Sequence, residues 1–159
     1  MLKILGICIL LFTIFCVSST ACEKERARIS LMGEMSKFIH AVRRTLAVSM
    51  KPMSEVCRDF KADEPYFASL LKDAPGCFSD AARVNELCER VGVAGADIFV
   101  NFINGFGRGY LSDELARCDL AVNEFDALYG AEKTAASRKL RLCRTLGVAS
   151  SFALVILFI

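Results

Sequence analysis

Every formal charge in this chain of 159 residues, except that of Lys3, lies between Glu23 and Arg144. The run from Ile4 to Cys22 is uncharged over 19 residues, and the run from Thr145 to Ile159 is uncharged over 15. A charged middle between two bare apolar ends leaves few ways to fold. At about 1.5 Å per residue a helix over the first run is long enough to cross a hydrocarbon core of roughly 30 Å. The second run covers only about 22 Å. It reaches spanning length when Leu140 and Leu142 join it and Arg141 and Arg144 snorkel to the interface. The expected organisation is a transmembrane span at residues 1–22, a bundle at 23–144 and a second span at 145–159. Composition agrees, since 54% of residues are hydrophobic although 24% are charged, and mean hydropathy is +0.41. With 3 Pro and 10 Gly, the chain is neither disordered nor of low complexity.

The first run has two readings. As a secretory signal it offers Lys3, an apolar core and the small residues Ser19-Thr20-Ala21 before Cys22, a position that also invites lipidation. As an uncleaved anchor it continues into a helix, because Glu23 to Val48 holds no proline and one glycine, Gly33. Basic residues near the ends of the spans set the orientation. Arg138, Lys139, Arg141 and Arg144 precede the second span, and Lys24, Arg26 and Arg28 follow the first. Both clusters place the middle domain in the cytoplasm.

Of the 8 cysteines, Cys8 and Cys16 fall inside the first run and act there as small apolar residues. The remaining six, Cys22, Cys57, Cys77, Cys88, Cys118 and Cys143, would suit a disulfide framework in an exported domain. No C-x-x-C pair occurs, and Cys118 falls in an apolar helical stripe. Reduced, packed thiols are the plainer expectation, and without histidine partners a zinc site is unsupported.

Between the spans the periodicity is helical throughout. Met32, Met35, Ile39, Val42 and Leu46 form one stripe, with Glu34, Lys37, Ala41 and Arg44 opposite. Pro52 opens a second helix, and a third follows Asp63-Glu64-Pro65 and ends at Ala74-Pro75-Gly76. Ser79 is placed to cap a fourth helix, from Asp80 to about Val91. Gly92 and Gly95 bracket a turn before Ile98, Phe99, Phe102 and Ile103. Ser112 is the expected N-cap of a long last helix, with Asp113 and Glu114 at the positive end of its dipole. Leu115, Cys118, Val122, Phe125 and Tyr129 then make a seam suited to packing on the first stripe. The fold class is all-α, with the long first and last helices continuing into the two spans.

Chemistry finds little support in the residues. The single histidine, His40, lies beside the first stripe without a second ligand, which points to a partly buried structural role. Glu55 and Asp59 are one helical turn apart, but Arg58 adjoins them and nothing suggests burial. The stretch Asn104-Gly105-Phe106-Gly107-Arg108-Gly109 lacks the Lys-Ser or Lys-Thr of a phosphate loop. It reads instead as a flexible connection, or as a contact loop in which Gly105, Gly107 and Gly109 free the backbone while Arg108 and Tyr110 meet a partner. A net charge of +2 without a basic stripe leaves no nucleic-acid footprint. No catalytic, cofactor-binding or metal residue is expected, and the chain does not read as an enzyme.

Several segments in order carry a resemblance. Met1-Leu2-Lys3-Ile4-Leu5-Gly6 opens the first span, and Lys51-Pro52-Met53-Ser54-Glu55 follows the first amphipathic helix. Phe102 and the glycines then lead to Ser112-Asp113, Cys118, and Arg144-Thr145-Leu146-Gly147 before the apolar end. This order resembles the stage III sporulation protein AB family over about residues 1–60 and 99–159. The resemblance implies a fold similar to the cytoplasmic domain of the type II secretion inner-membrane platform protein. It also implies a mother-cell membrane protein serving the channel between mother cell and forespore, with a secretion-type cytoplasmic ATPase and other channel proteins as partners; a homo-oligomer is left open. The alternative is an exported or lipidated helical domain, cleaved near Ala21 and Cys22 and held by disulfides.

Overall fold

The computed structural model describes residues 2–49, 51–72, 81–107 and 109–158; of the side chains before Ser18 and after Ala149, only those of Thr13 and Cys16 are described. The described residues form helices α1 (Leu2–Ser49), α2 (Met53–Asp59), α3 (Pro65–Lys72), α4 (Ala81–Val91), α5 (Ala96–Gly105) and α6 (Leu111–Phe158). The all-α expectation therefore holds, with no strand among the described residues. Among those residues no helix is long and apolar enough to cross a membrane. The expected spans at 1–22 and 145–159 are thus not found there, and they fall mostly on side chains outside the description. α1 runs unbroken through Ala21 and Cys22.

Local chemistry sets the helix ends. Pro52, at φ −65° and ψ 153°, cannot continue a helix behind it but starts one well. Its carbonyl accepts the N–H groups of Glu55 at 3.0 Å and Val56 at 3.3 Å. Pro65 is itself the first residue of α3, and the Glu64 carboxylate accepts the Phe67 N–H at 2.7 Å. α4 closes on Gly92 at φ +73°, and the Val93 N–H returns to the Cys88 carbonyl at 2.8 Å, a left-handed helix terminus that favours glycine. The Ser79 cap, the turn at residues 74–76 and the start expected at Asp80 lie outside the described residues.

The chain divides into two compact units, Arg28–Glu132 and the two terminal segments Met1–Ala27 with Lys133–Ile159. In the first unit the expected α1 stripe is the core, since Met32, Met35, Ile39, Val42 and Leu46 are all buried. From α6, Cys118 and Phe125 are fully enclosed, while Leu115, Val122 and Tyr129 pack against them half-buried. Aromatic rings join the layers. Phe38 meets Phe60 at 5.3 Å, Phe67 at 5.8 Å and Phe99 at 6.1 Å between centroids, and Phe99 reaches Phe125 at 6.3 Å. The edge-on and tilted geometries suit the ring quadrupoles.

Glu34 departs from the expected polar face, because its carboxylate is buried at 3% exposure. It accepts the Asp63 backbone N–H at 3.1 Å and the Lys37 ammonium at 2.6 Å. The reason is local: the α2–α3 connection crosses this position, and its amide needs an acceptor out of water. The hydrogen bond to Glu34 is the first cause holding the Lys37 ammonium above the usual lysine range. Glu34→Leu removes the acceptor and should cost about 1–3 kcal/mol. Urea denaturation checks this, and an unchanged midpoint would show that the amide finds another partner.

A second departure concerns the thiols. Cys57, buried in the core, is disulfide-bonded, against the expectation of uniformly reduced cysteines, whereas Cys16, Cys22, Cys88, Cys118 and Cys143 are free. Sequence spacing carries no signal for a pair that only chain folding brings together.

In the terminal unit, Lys139 Nζ pairs with Glu25 Oε1 at 3.1 Å, and Ala136 is buried at 2% exposure. The hydroxyls of Thr20 and Thr145 bond back to the carbonyls of Cys16 and Arg141, which satisfies them within their own helices. Leu142 and Leu146, one turn apart, are exposed by 60% and 66%, and Val148, on another side of α6, by 58%.

Candidate functional site

The glycine-rich stretch joins α5 to α6. α5 begins at Ala96 after Gly95 and buries Phe99, Val100, Phe102 and Ile103, a helical stripe that fixes where its C-terminal end emerges. Gly105 is its last residue, and the Phe106 N–H bonds the Ile103 carbonyl at 3.2 Å. Gly107 takes φ +81° with open space around it, a backbone state that L side chains rarely adopt. Arg108 lies outside the described residues.

Side chains of α6 bond both flanks of this stretch. Glu114, buried at 4% exposure, accepts the Gly109 N–H at 2.9 Å. Arg117 lies 3.9 Å from the same carboxylate and donates to the Gly105 carbonyl. A Cβ added at Gly105 would come within 3.1 Å of the Arg117 guanidinium. One acid and one arginine on the first two turns of α6 thus clamp both ends of the connection.

α6 starts at Leu111, one residue before the expected cap. The Tyr110 carbonyl accepts the N–H groups of Asp113 and Glu114, each at 3.0 Å, and Ser112 sits inside the first turn with its hydroxyl 3.4 Å from Asp113 Oδ1. The Tyr110 side chain stands out, 83% exposed, with Leu111 37% exposed beside it. Of the expected contact residues, the structure brings together Gly105, Gly107, Gly109 and Tyr110 on a braced loop. Glu114 and Arg117, which do the bracing, carried no spacing motif; the only hint was an acid and a base three apart at a helix start.

Elsewhere several titratable groups pair across the fold. His40 is exposed, not partly buried, and its Nε2 lies 2.7 Å from Asp126 Oδ2, while the Ser36 hydroxyl donates to Asp126 Oδ1 at 2.6 Å. Both side chains address the carboxylate, so serine and histidine are not in series as a relay would require. Arg43 pairs with Asp119 and Arg28 with Glu132, completing a polar ladder between α1 and α6. Lys51 Nζ lies 3.1 Å from Asp59 and 3.7 Å from Glu55. The hydrogen bond to Asp59 raises the Lys51 pKa, so the two carboxylates on α2 share a cation. Among the described residues no group of His, Cys, Asp and Glu could hold a metal ion.

Burial pushes the Cys88 and Cys118 thiols up to about 11. The thiolate is the reactive form, so a two-unit rise lowers its population at pH 8 by about 100-fold. Iodoacetamide should therefore modify Cys88 and Cys118 at least about 100-fold more slowly in the native protein than in urea, with native rates climbing as pH rises toward 11. Peptide mass spectrometry reads both sites, and equal native and urea rates would contradict their burial.

The family model described as stage III sporulation protein AB covers residues 3–159. No curated protein and no solved structure matches the chain.

Proposed function

Because the chain belongs to the stage III sporulation protein AB family, whose function is sporulation-related, we propose that it is a non-enzymatic membrane platform in the mother cell–forespore channel. Two helical spans at 1–22 and 145–159 anchor it, and its helical domain faces the mother-cell cytoplasm and docks a secretion-type ATPase. The observation that carries this reading is the braced loop, which presents exposed Tyr110 beside Leu111 on a connection held by Glu114 and Arg117. An aromatic side chain with few rotatable bonds, beside a connection bonded at both flanks, is the kind of group that acts as an interface hot spot. The outward Leu142, Leu146 and Val148, beside exposed Arg138 and Arg141, suit a helix leaving water for lipid. Arg108→Ala and Tyr110→Ala should leave the protein folded and inserted but weaken ATPase association by about 1–2 kcal/mol each. Unchanged affinity in both variants would reduce the loop to a connector.

The disulfide at Cys57 favours a second reading, an exported domain, since such bonds persist in oxidising compartments. A cysteine introduced at exposed Asn123 separates the two. Under the platform reading an impermeant maleimide labels it in protoplasts only after lysis. Labelling of intact protoplasts would establish the exported topology.

A further inference from the structure

In the terminal unit, Ser18, Cys22 and Glu25 recur on α1, and Ala136, Leu140, Cys143 and Gly147 recur on α6. Each of these is buried or half-buried, whereas Ala21, Glu23, Lys24, Arg26, Leu142 and Leu146 between or beside them are exposed. Spacings of three and four draw one line along a helix, so these residues are the facing stripes of the pair. Two contacts fix their register. Glu25 Oε1 meets Lys139 Nζ at 3.1 Å, and a Cβ on Gly147 would lie 3.8 Å from the Ser18 hydroxyl. Cys22 lies one turn from Ser18, and Cys143 one turn from Gly147. With the helices antiparallel, both thiols fall at one level between the two contacts. Both are free.

We propose that Cys22 and Cys143 are a redox-sensitive pair that closes to a disulfide across α1 and α6. Contact of the Gly147 position with the Ser18 hydroxyl at 3.8 Å sets the two helices side by side one turn from the thiols, and the bond itself requires a short Cα separation. The oxidant is a disulfide. The thiolate of one cysteine attacks it, a mixed disulfide forms and one thiolate leaves; the second cysteine then attacks the mixed disulfide and releases the other thiolate. The pair loses two electrons and two protons, and the oxidant gains both as two thiols. Closed, the bond prevents α1 and α6 from sliding past one another beside the exposed Arg26, Arg138 and Arg141. The proposal holds in either compartment and does not depend on the ATPase reading.

The test uses the full-length protein in detergent, incubated with oxidised glutathione and quenched with N-ethylmaleimide. Mass spectrometry of the monomer band should find peptides holding Cys22 and Cys143 joined within one chain, a link reversed by dithiothreitol and lost in Cys22→Ser and in Cys143→Ser. Absence of that link in the folded wild-type protein would overturn the proposal. So would finding Cys22 joined only to another chain.

Discussion

Phe38→Ala should remove about 3–5 kcal/mol of stability, the range for truncating an enclosed aromatic. Phe38 is fully buried and touches the rings of Phe60, Phe67 and Phe99, so one truncation exposes three elements to a common void. Relaxation is limited, because Phe67 also meets Phe99 at 6.0 Å and Phe60 at 6.3 Å, and those rings brace each other around the gap. Phe38→Leu keeps most of the volume and should cost clearly less. Urea denaturation of the full-length protein in detergent checks both. A loss below about 1 kcal/mol for Phe38→Ala would mean that the core collapses onto the site freely.

The first core stripe was legible because α1 has no proline and repeats its apolar residues at helical spacing. Phe38 was not, since it falls off that stripe and is enclosed only because α2, α3 and α5 cover a second side of α1. Glu34 was misplaced for the same reason. A one-helix pattern assumes one buried face, and α2, α3 and α5 packed against α1 leave it with more. The misplaced cap at Ser112 has a different origin. The loop is closed by Glu114 and Arg117, and their bonds to Gly109 and Gly105 let the helix begin at Leu111 without a hydroxyl cap.

The contact loop itself was visible as glycine-rich, yet the bonds of Glu114 and Arg117 to Gly109 and Gly105 were not. Glycine composition reports the freedom of the unfolded chain, whereas the order of the folded loop depends on side chains several residues away. His40 illustrates the reverse case. The absence of a partner within a turn on α1 suggested isolation, but Asp126, 86 residues on, supplies the partner through packing of α1 on α6. Pairings made by tertiary structure, including the disulfide at Cys57, have no local signature to read.

Gly95→Ala should cost about 2–5 kcal/mol, and the cost should separate into two measurable parts. Gly95 holds φ +76° at the start of α5, which for an alanine costs about 1–2 kcal/mol. The second part is steric. A Cβ there would collide with Leu128 Cδ2 while touching Ile98 at 3.6 Å and Phe125 at 3.7 Å, and displacing packed groups typically adds about 1–3 kcal/mol. Gly92 is the internal control, with φ +73° but nothing within 4 Å of its added Cβ. Gly92→Ala should therefore lose only the backbone part, about 1–2 kcal/mol. Trimming Leu128 isolates the contact. In the background of Leu128→Ala, the further cost of Gly95→Ala should fall toward that of Gly92→Ala, a coupling that double-mutant analysis resolves. Equal costs for the two glycines in the wild-type background, or no coupling to Leu128, would remove α6 from the start of α5.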